Sequence, residues 1–127
     1  MFNSIFVRYK DSGEVKDILG DGEYSCAFFV SSVLYLFQTI SKSVSTVKSL
    51  KELIDASDVW KSVSLGEIQS GDVIFWEKTK FDDGSENAHV GFVLNKEEAV
   101  STDYKTKMVT RHPIKSRSID SIYRYVW

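Results

Sequence analysis

The chain has 127 residues, enough for one domain, and 43% hydrophobic, 27% charged and 13% aromatic residues are typical of a globular protein. A formal net charge of −2 without a basic stripe argues against nucleic acid or an anionic membrane surface as the partner. One cysteine excludes an internal disulfide, and its spacing from histidine fits no zinc site. With no signal peptide and no apolar run of about 18 residues, we expect a soluble, monomeric single domain over residues 1–127, needing no cofactor and carrying no segment that assigns it to a compartment.

The chain opens on a predicted β-hairpin. Apolar and polar residues alternate over Ser4–Tyr9, Asp11-Ser12-Gly13 is a turn sequence, and Glu14–Leu19 is the predicted returning strand. A polar loop, Gly20–Tyr24, then leads into a long apolar segment.

Two helices are predicted next. Apolar residues spaced i, i+3, i+4 indicate a central helix from Cys26 to Ile40, capped by Ser25 or a neighbour. A single apolar stripe predicts a second helix over Thr46–Ala56, with Ser45 or Thr46 as its cap.

Beyond the second helix the pattern changes from helical to alternating. Strands are predicted at Val59–Val63, Val73–Glu77, Ala88–Asn95, Glu98–Thr102, Lys107–His112 and Ile122–Trp127, with a polar loop at Phe81–Asn87. Helices followed by consecutive strands are typical of an α+β fold with an antiparallel sheet. We expect the first helix to pack on that sheet.

The only cysteine, Cys26, lies at the predicted start of the first helix. The positive end of the helix dipole and unpaired backbone N–H groups favour a thiolate there, so this position predicts a lowered thiol pKa. The N–H of Cys26 itself can serve as an oxyanion donor. The alternative is a buried free cysteine that fills space in the core.

A histidine and two candidate orienting residues complete a possible catalytic set. His89 lies in the apolar run AHVGFVL after a polar loop, so we expect it at the sheet rim, with Gly91 leaving open space beside its ring. There it could accept the thiol proton. Ser101 and Asp103 share one face of the following strand, and either could orient the imidazole. A carboxylate would hold an imidazolium more strongly, whereas Asp103 can lie beyond the strand end.

Three segments, in order, resemble NlpC-type cell-wall peptidases of the papain-like superfamily. SCAFFVSSVLYLF is similar to the nucleophile helix of that family, with Cys26 at the nucleophile position, and IQSGDVIFWE is similar to its Gly-Asp strand. HVGFVLNKEEAVS is similar to the His-Val-Gly strand and hairpin, with His89 as the catalytic histidine and Ser101 at the third polar position. The chain departs from the family pattern in having Ser25 where the family has Asp.

The resemblance implies a papain-like NlpC-type fold and a thiol peptidase or amidase that cleaves an amide bond in a peptidoglycan peptide through a Cys-His thioester. It implies Cys26, His89 and Ser101 as catalytic residues, with Asp103 as the alternative third residue. Substrate contacts are predicted at Tyr24, Ser25, Trp76 and His112. The partner would be a peptide or a peptidoglycan fragment. The alternatives are a weakly active or inactive NlpC-like binding module and a CHAP-like amidase or acyltransferase.

Overall fold

The computed structural model of the chain describes residues 6–8, 15–17, 25–80, 86–103 and 108–126. In this part of the chain the helices are α1 (Ser25–Leu36) and α2 (Val47–Asp55). The strands are β1 (Phe6–Arg8), β2 (Val15–Asp17), β3 (Trp60–Ser62), β4 (Val73–Lys80), β5 (Glu86–Val93), β6 (Glu98–Thr102), β7 (Val109–Pro113) and β8 (Ile119–Tyr125). The predicted α+β class is confirmed.

The strands of the described residues form two antiparallel groups. β1 pairs with β2, which confirms the opening hairpin, while its predicted turn lies outside the described residues. The other six form one sheet in the order β3-β8-β4-β5-β6-β7. β4 extends three residues beyond its predicted end at Glu77, and β5 both begins and ends two residues before its predicted bounds of Ala88 and Asn95. Pairing of the two strands resumes beyond a register shift between Trp76 and Thr79. β8 begins at Ile119, three residues before the predicted start at Ile122.

Helix α1 ends at Leu36, four residues before the predicted end at Ile40. Gln38 adopts a left-handed conformation with φ of 59°, and its N–H donates to the Tyr35 carbonyl. The N–H and the hydroxyl of Thr39 both donate to the Leu34 carbonyl. This is a Schellman termination without glycine, and it satisfies carbonyl groups that a helix end leaves unpaired. Helix α2 begins as predicted, with the Thr46 side chain accepting a hydrogen bond from the Ser49 N–H.

Ser31 holds the segment between α1 and α2 against α1 by hydrogen bonds to Val44. It is fully buried, and its hydroxyl both donates to the Val44 carbonyl at 2.8 Å and accepts from the Val44 N–H at 2.9 Å. One side chain therefore satisfies both backbone groups of a residue thirteen positions along the chain.

Replacing Ser31 with alanine is expected to lower the free energy of unfolding by about 2 kcal/mol, because two backbone groups of Val44 would lose their partner. Ser32→Ala removes the same atoms from the next position of α1 and is the control. Urea unfolding of both variants measures the difference. Equal stabilities would show that the Ser31 hydroxyl is dispensable.

The sheet has a buried cluster on each side. Residues of α1 and α2 pack on Val73, Phe75 and Val90, and Cys26 belongs to this cluster. The second cluster contains Ile74 and Trp76, which alternate with the first pair along β4. The first cluster thus holds α1 against the sheet and brings its N-terminal end to β5.

Candidate active site

Cys26 is the second residue of α1 and is 9% exposed. Burial raises the pKa of its thiol above the ordinary value, against the opposing effects of the backbone N–H groups of Val90, Ala27 and Cys26 and the charge of Arg117. The lowered thiol pKa expected from the helix-start position is therefore wrong in direction, because desolvation outweighs the helix terminus. The resting side chain is a thiol whose sulfur lies beside the N–H of the residue that follows His89.

The register of the sheet assembles the polar side chains opposite α1. His89 on β5 is directly across from Trp76 on β4, and Ala99 on β6 is across from His112 on β7. The β5–β6 ladder ends at the pair Phe92–Val100, one residue before Ser101. Because alternate strand residues share a face, the side chains of His89, Ser101 and His112 point to the same face as Trp76. That is the face of the second cluster, opposite α1.

Ser101 joins the two histidines of the chain. His89 Nε2 lies 2.8 Å from Ser101 Oγ, and the same oxygen lies 2.6 Å from His112 Nε2. His112 Nδ1 lies 3.1 Å from the Pro113 carbonyl and 3.2 Å from the Ser116 hydroxyl. Ser101 is 1% exposed, so its hydroxyl is shielded from water, whereas His112 is half-buried. Within the described residues the Cys26 thiol makes no direct hydrogen bond to the His89 ring.

The structure places Ser101, rather than Asp103, in hydrogen bond with His89. Asp103 follows the end of β6 and is half-buried, and its negative charge raises the pKa of His89. The carboxylate thus acts on the imidazole through its field, and the hydroxyl contacts it.

Trp76 is 1% exposed and lies beneath both imidazoles. Its ring centroid is 5.5 Å from that of His89 and 5.2 Å from that of His112, and its Nε1–H donates to the Ile114 carbonyl at 2.8 Å. The prediction that Trp76 contacts substrate is wrong, because the side chain is enclosed. It is a platform that fixes the planes of the two rings.

Gly91 fits against β6 with no space to spare. A Cβ at this position would lie 2.5 Å from the Val100 carbonyl oxygen, 2.9 Å from Ser101 Cβ and 3.2 Å from Trp76 Cζ3. The expectation of open space beside the ring is wrong, because the neighbouring strand occupies it. Glycine instead allows Ser101 to approach β5 closely enough to reach His89.

The pKa of His89 is lowered from 6.5 to about 3. Burial is the largest cause, followed by the electrostatic effects of Arg117 and His112, which lower it further. The resting imidazole is therefore neutral, as is the thiol, so the site rests as a neutral pair rather than as a thiolate and an imidazolium.

Arg117 was not predicted. Its Nε donates to the Thr79 hydroxyl at 3.0 Å, and Nη2 donates to the carbonyls of Asn87 at 2.7 Å and Glu77 at 3.2 Å. These bonds place a guanidinium at the end of β4 and β5, where its charge lowers the pKa of both Cys26 and His89. No sequence motif marks it, because it reaches β4 and β5 from the turn before β8.

The remaining predicted contacts are only partly described. Tyr24 and the Ser25 side chain lie outside the described residues, and Ser25 is seen as the first helical residue of α1. His112 lies in β7, which overlaps the strand predicted at Lys107–His112. Among the described residues no group of three His, Cys, Asp or Glu side chains could hold a metal ion, and no helix is long and apolar enough to cross a membrane.

Comparisons with protein-family models and with curated proteins gave no match. The likeness to NlpC-type peptidases thus rests on the three motifs.

Proposed function

We propose that this protein is a cysteine hydrolase that cleaves an amide bond with Cys26 as nucleophile and His89 as base. The 2.8 Å contact between His89 Nε2 and Ser101 carries the proposal, because it occupies one ring nitrogen and leaves Nδ1 for the thiol proton. The thiol lies beside the backbone N–H of Val90, the next residue after that base. A nucleophile, a base and an orienting hydroxyl thus come from α1, β5 and β6.

The first half of the reaction forms a thioester. Cys26 packs with Val90 on one face of the sheet and His89 pairs with Trp76 on the other, so this step requires the two side chains to come within reach of each other. The Cys26 proton then passes to His89 Nδ1 as sulfur bonds to the carbonyl carbon. The carbonyl π electrons move to oxygen, where backbone N–H groups at the start of α1 stabilise the oxyanion. The oxyanion collapses, the C–N bond breaks, and His89 gives its proton to the departing amine.

The second half releases the acid. Water attacks the thioester carbon and transfers a proton to His89 Nδ1. The C–S bond then breaks, and the leaving sulfur recovers that proton, which regenerates the neutral pair. An amine in place of water would give acyl transfer, which product analysis distinguishes from hydrolysis.

The proposed substrate is an amide bond in a cell-wall peptide. This part of the proposal is supported by the three motifs that resemble NlpC-type peptidases and by their order along the chain. Ser25 and Phe28 replace residues of the family pattern on either side of Cys26, so the peptide bound here need not be the one that the family cleaves.

Incubation with soluble peptidoglycan fragments tests the proposal. Wild-type protein is expected to release a new amine and a new carboxylic acid, detected by mass spectrometry, and Cys26→Ala is expected to lose all turnover because the nucleophilic atom is absent. Unfolding curves of both proteins check that the variant is folded. Cleavage by Cys26→Ala at the wild-type rate would overturn the assignment of Cys26.

A second candidate is a binding module that has lost efficient chemistry. The raised thiol pKa and the lowered imidazole pKa favour it, because both oppose formation of the thiolate–imidazolium pair. Ser25, which stands where the NlpC family has Asp before the nucleophile, also favours the binding module.

Alkylation of the single cysteine separates the two candidates. Because the chain has only one thiol, iodoacetamide incorporation reports on Cys26 alone. If His89 acts as the base, wild-type protein should react several-fold faster at neutral pH than His89→Gln, in which no base can take the proton. Equal rates, or a thiol that reacts only on unfolding, would favour the binding module.

A further inference from the structure

The direction of hydrogen donation through the bridge can be deduced from its last member. The Pro113 carbonyl, 3.1 Å from His112 Nδ1, can only accept a hydrogen bond, and the Ser116 hydroxyl, 3.2 Å away, can accept as well, so a hydrogen on Nδ1 serves both contacts. In a neutral His112 ring, Nε2 then has a lone pair, and the Ser101 hydroxyl 2.6 Å away must donate to it. The single Ser101 hydrogen is thereby used.

The remaining contact then has one solution. Ser101 Oγ can only accept from His89, so His89 Nε2, 2.8 Å away, carries the hydrogen of that ring. His89 Nδ1 is left with its lone pair, which is the state that a base for the thiol requires. A chain that runs the other way would put the hydrogen on Nδ1 and make His89 unable to accept a proton.

We propose that His112 is a positioning residue that sets the tautomer of His89 through Ser101, and not a substrate-binding residue. The inference deepens the proposed function, on which it rests. A serine hydroxyl alone gives no direction, since it donates and accepts equally well. His112 removes that ambiguity because its Nδ1–H donates to the Pro113 carbonyl, which leaves its Nε2 as an acceptor for the Ser101 hydroxyl. Donation to His112 also polarises the hydroxyl toward accepting more strongly from a His89 imidazolium.

The surrounding packing keeps this geometry. Ala99 lies directly across from His112, and its small side chain leaves the imidazole room to reach diagonally to Ser101. Trp76 contacts both rings and is itself fixed by its bond to Ile114, the residue that follows Pro113. The Pro113 carbonyl, which orients His112, is therefore adjacent in the chain to the Ile114 carbonyl, which holds Trp76.

Nitrogen NMR of protein with 15N-labelled histidine tests the inference without a substrate. At about pH 8, wild-type protein is expected to have a hydrogen on Nε2 of His89 and on Nδ1 of His112. In His112→Ala the Ser101 hydroxyl loses its acceptor, and His89 should become a mixture of tautomers. His112→Gln offers an amide oxygen to Ser101 and should restore the Nε2–H form. Arg111→Ala, an exposed neighbour on β7, is the control.

The turnover rates of the same variants are expected to follow the order of their His89 tautomers. A wrong tautomer of a catalytic histidine costs up to about 10⁴-fold in turnover, so His112→Ala should lose at least about 100-fold in kcat, with most of it regained in His112→Gln. An Nδ1–H form of His89 in wild-type protein, or an unchanged tautomer in His112→Ala, would overturn the inference. A fixed tautomer in a protein that cleaves nothing would instead count against the proposed function alone.

Discussion

Replacing Gly91 with alanine is expected to destabilise the protein by about 3 kcal/mol and to break the contact between His89 and Ser101. The added methyl carbon would lie 2.5 Å from the Val100 carbonyl oxygen, which is backbone and cannot rotate away. It would also lie 2.9 Å from Ser101 Cβ. Relief requires β6 to move outward, and that movement carries Ser101 away from the imidazole.

Gly66→Ala provides a matched control, because a Cβ there meets no atom within 4 Å. Urea unfolding of the two variants should separate them by nearly the full 3 kcal/mol of overpacking. If Gly91→Ala is too unstable to purify at 25 °C, Cys26 alkylation at low temperature gives a second measurement, with a rate close to that of His89→Gln. Equal stability of both variants would mean that β6 leaves room for a side chain at position 91.

Local sequence pattern predicts those features of the site that lie within one helix or one strand. The junction of a polar loop and an apolar segment predicts that Cys26 lies at the start of a helix, and strand alternation predicts β6 with its observed bounds, Glu98–Thr102. The choice between Ser101 and Asp103 could not be made in advance. It depends on the register of β5 against β6 and on where the strand ends, neither of which strand alternation specifies.

The parts that were missed depend on contacts between distant segments. Trp76 resembles a surface aromatic in a strand pattern, and only its bond to Ile114, 38 residues away, shows why it is enclosed. The direction of the Cys26 pKa shift was missed for the same reason. A helix N-terminus is visible in sequence, whereas the packing that desolvates the thiol arises from β4, β5 and α2.

His89 is expected to lower the free energy of unfolding as the pH falls below 6.5, and replacing His89 should remove this contribution. Its pKa is about 3 in the folded protein and near the ordinary 6.5 in the unfolded chain, so the unfolded chain binds more protons between these values. Stability contributed by the neutral ring is therefore fully present above pH 6.5 and is lost as pH falls toward 3. From about pH 8 to about pH 5 the loss amounts to about 2 kcal/mol.

The difference between wild-type protein and His89→Gln isolates this contribution, because every other titratable group is present in both. Urea unfolding at intervals between about pH 8 and about pH 5 should show wild-type stability falling about 2 kcal/mol further than that of the variant. Parallel curves would mean that His89 titrates normally and is not desolvated. A neutral imidazole would then no longer be the resting state, and the direction of donation through Ser101 to His112 would lose its basis at acidic pH, since a charged His89 ring donates from both nitrogens. The same titration thus measures both how deeply the base is buried and the pH range in which it can accept the Cys26 proton.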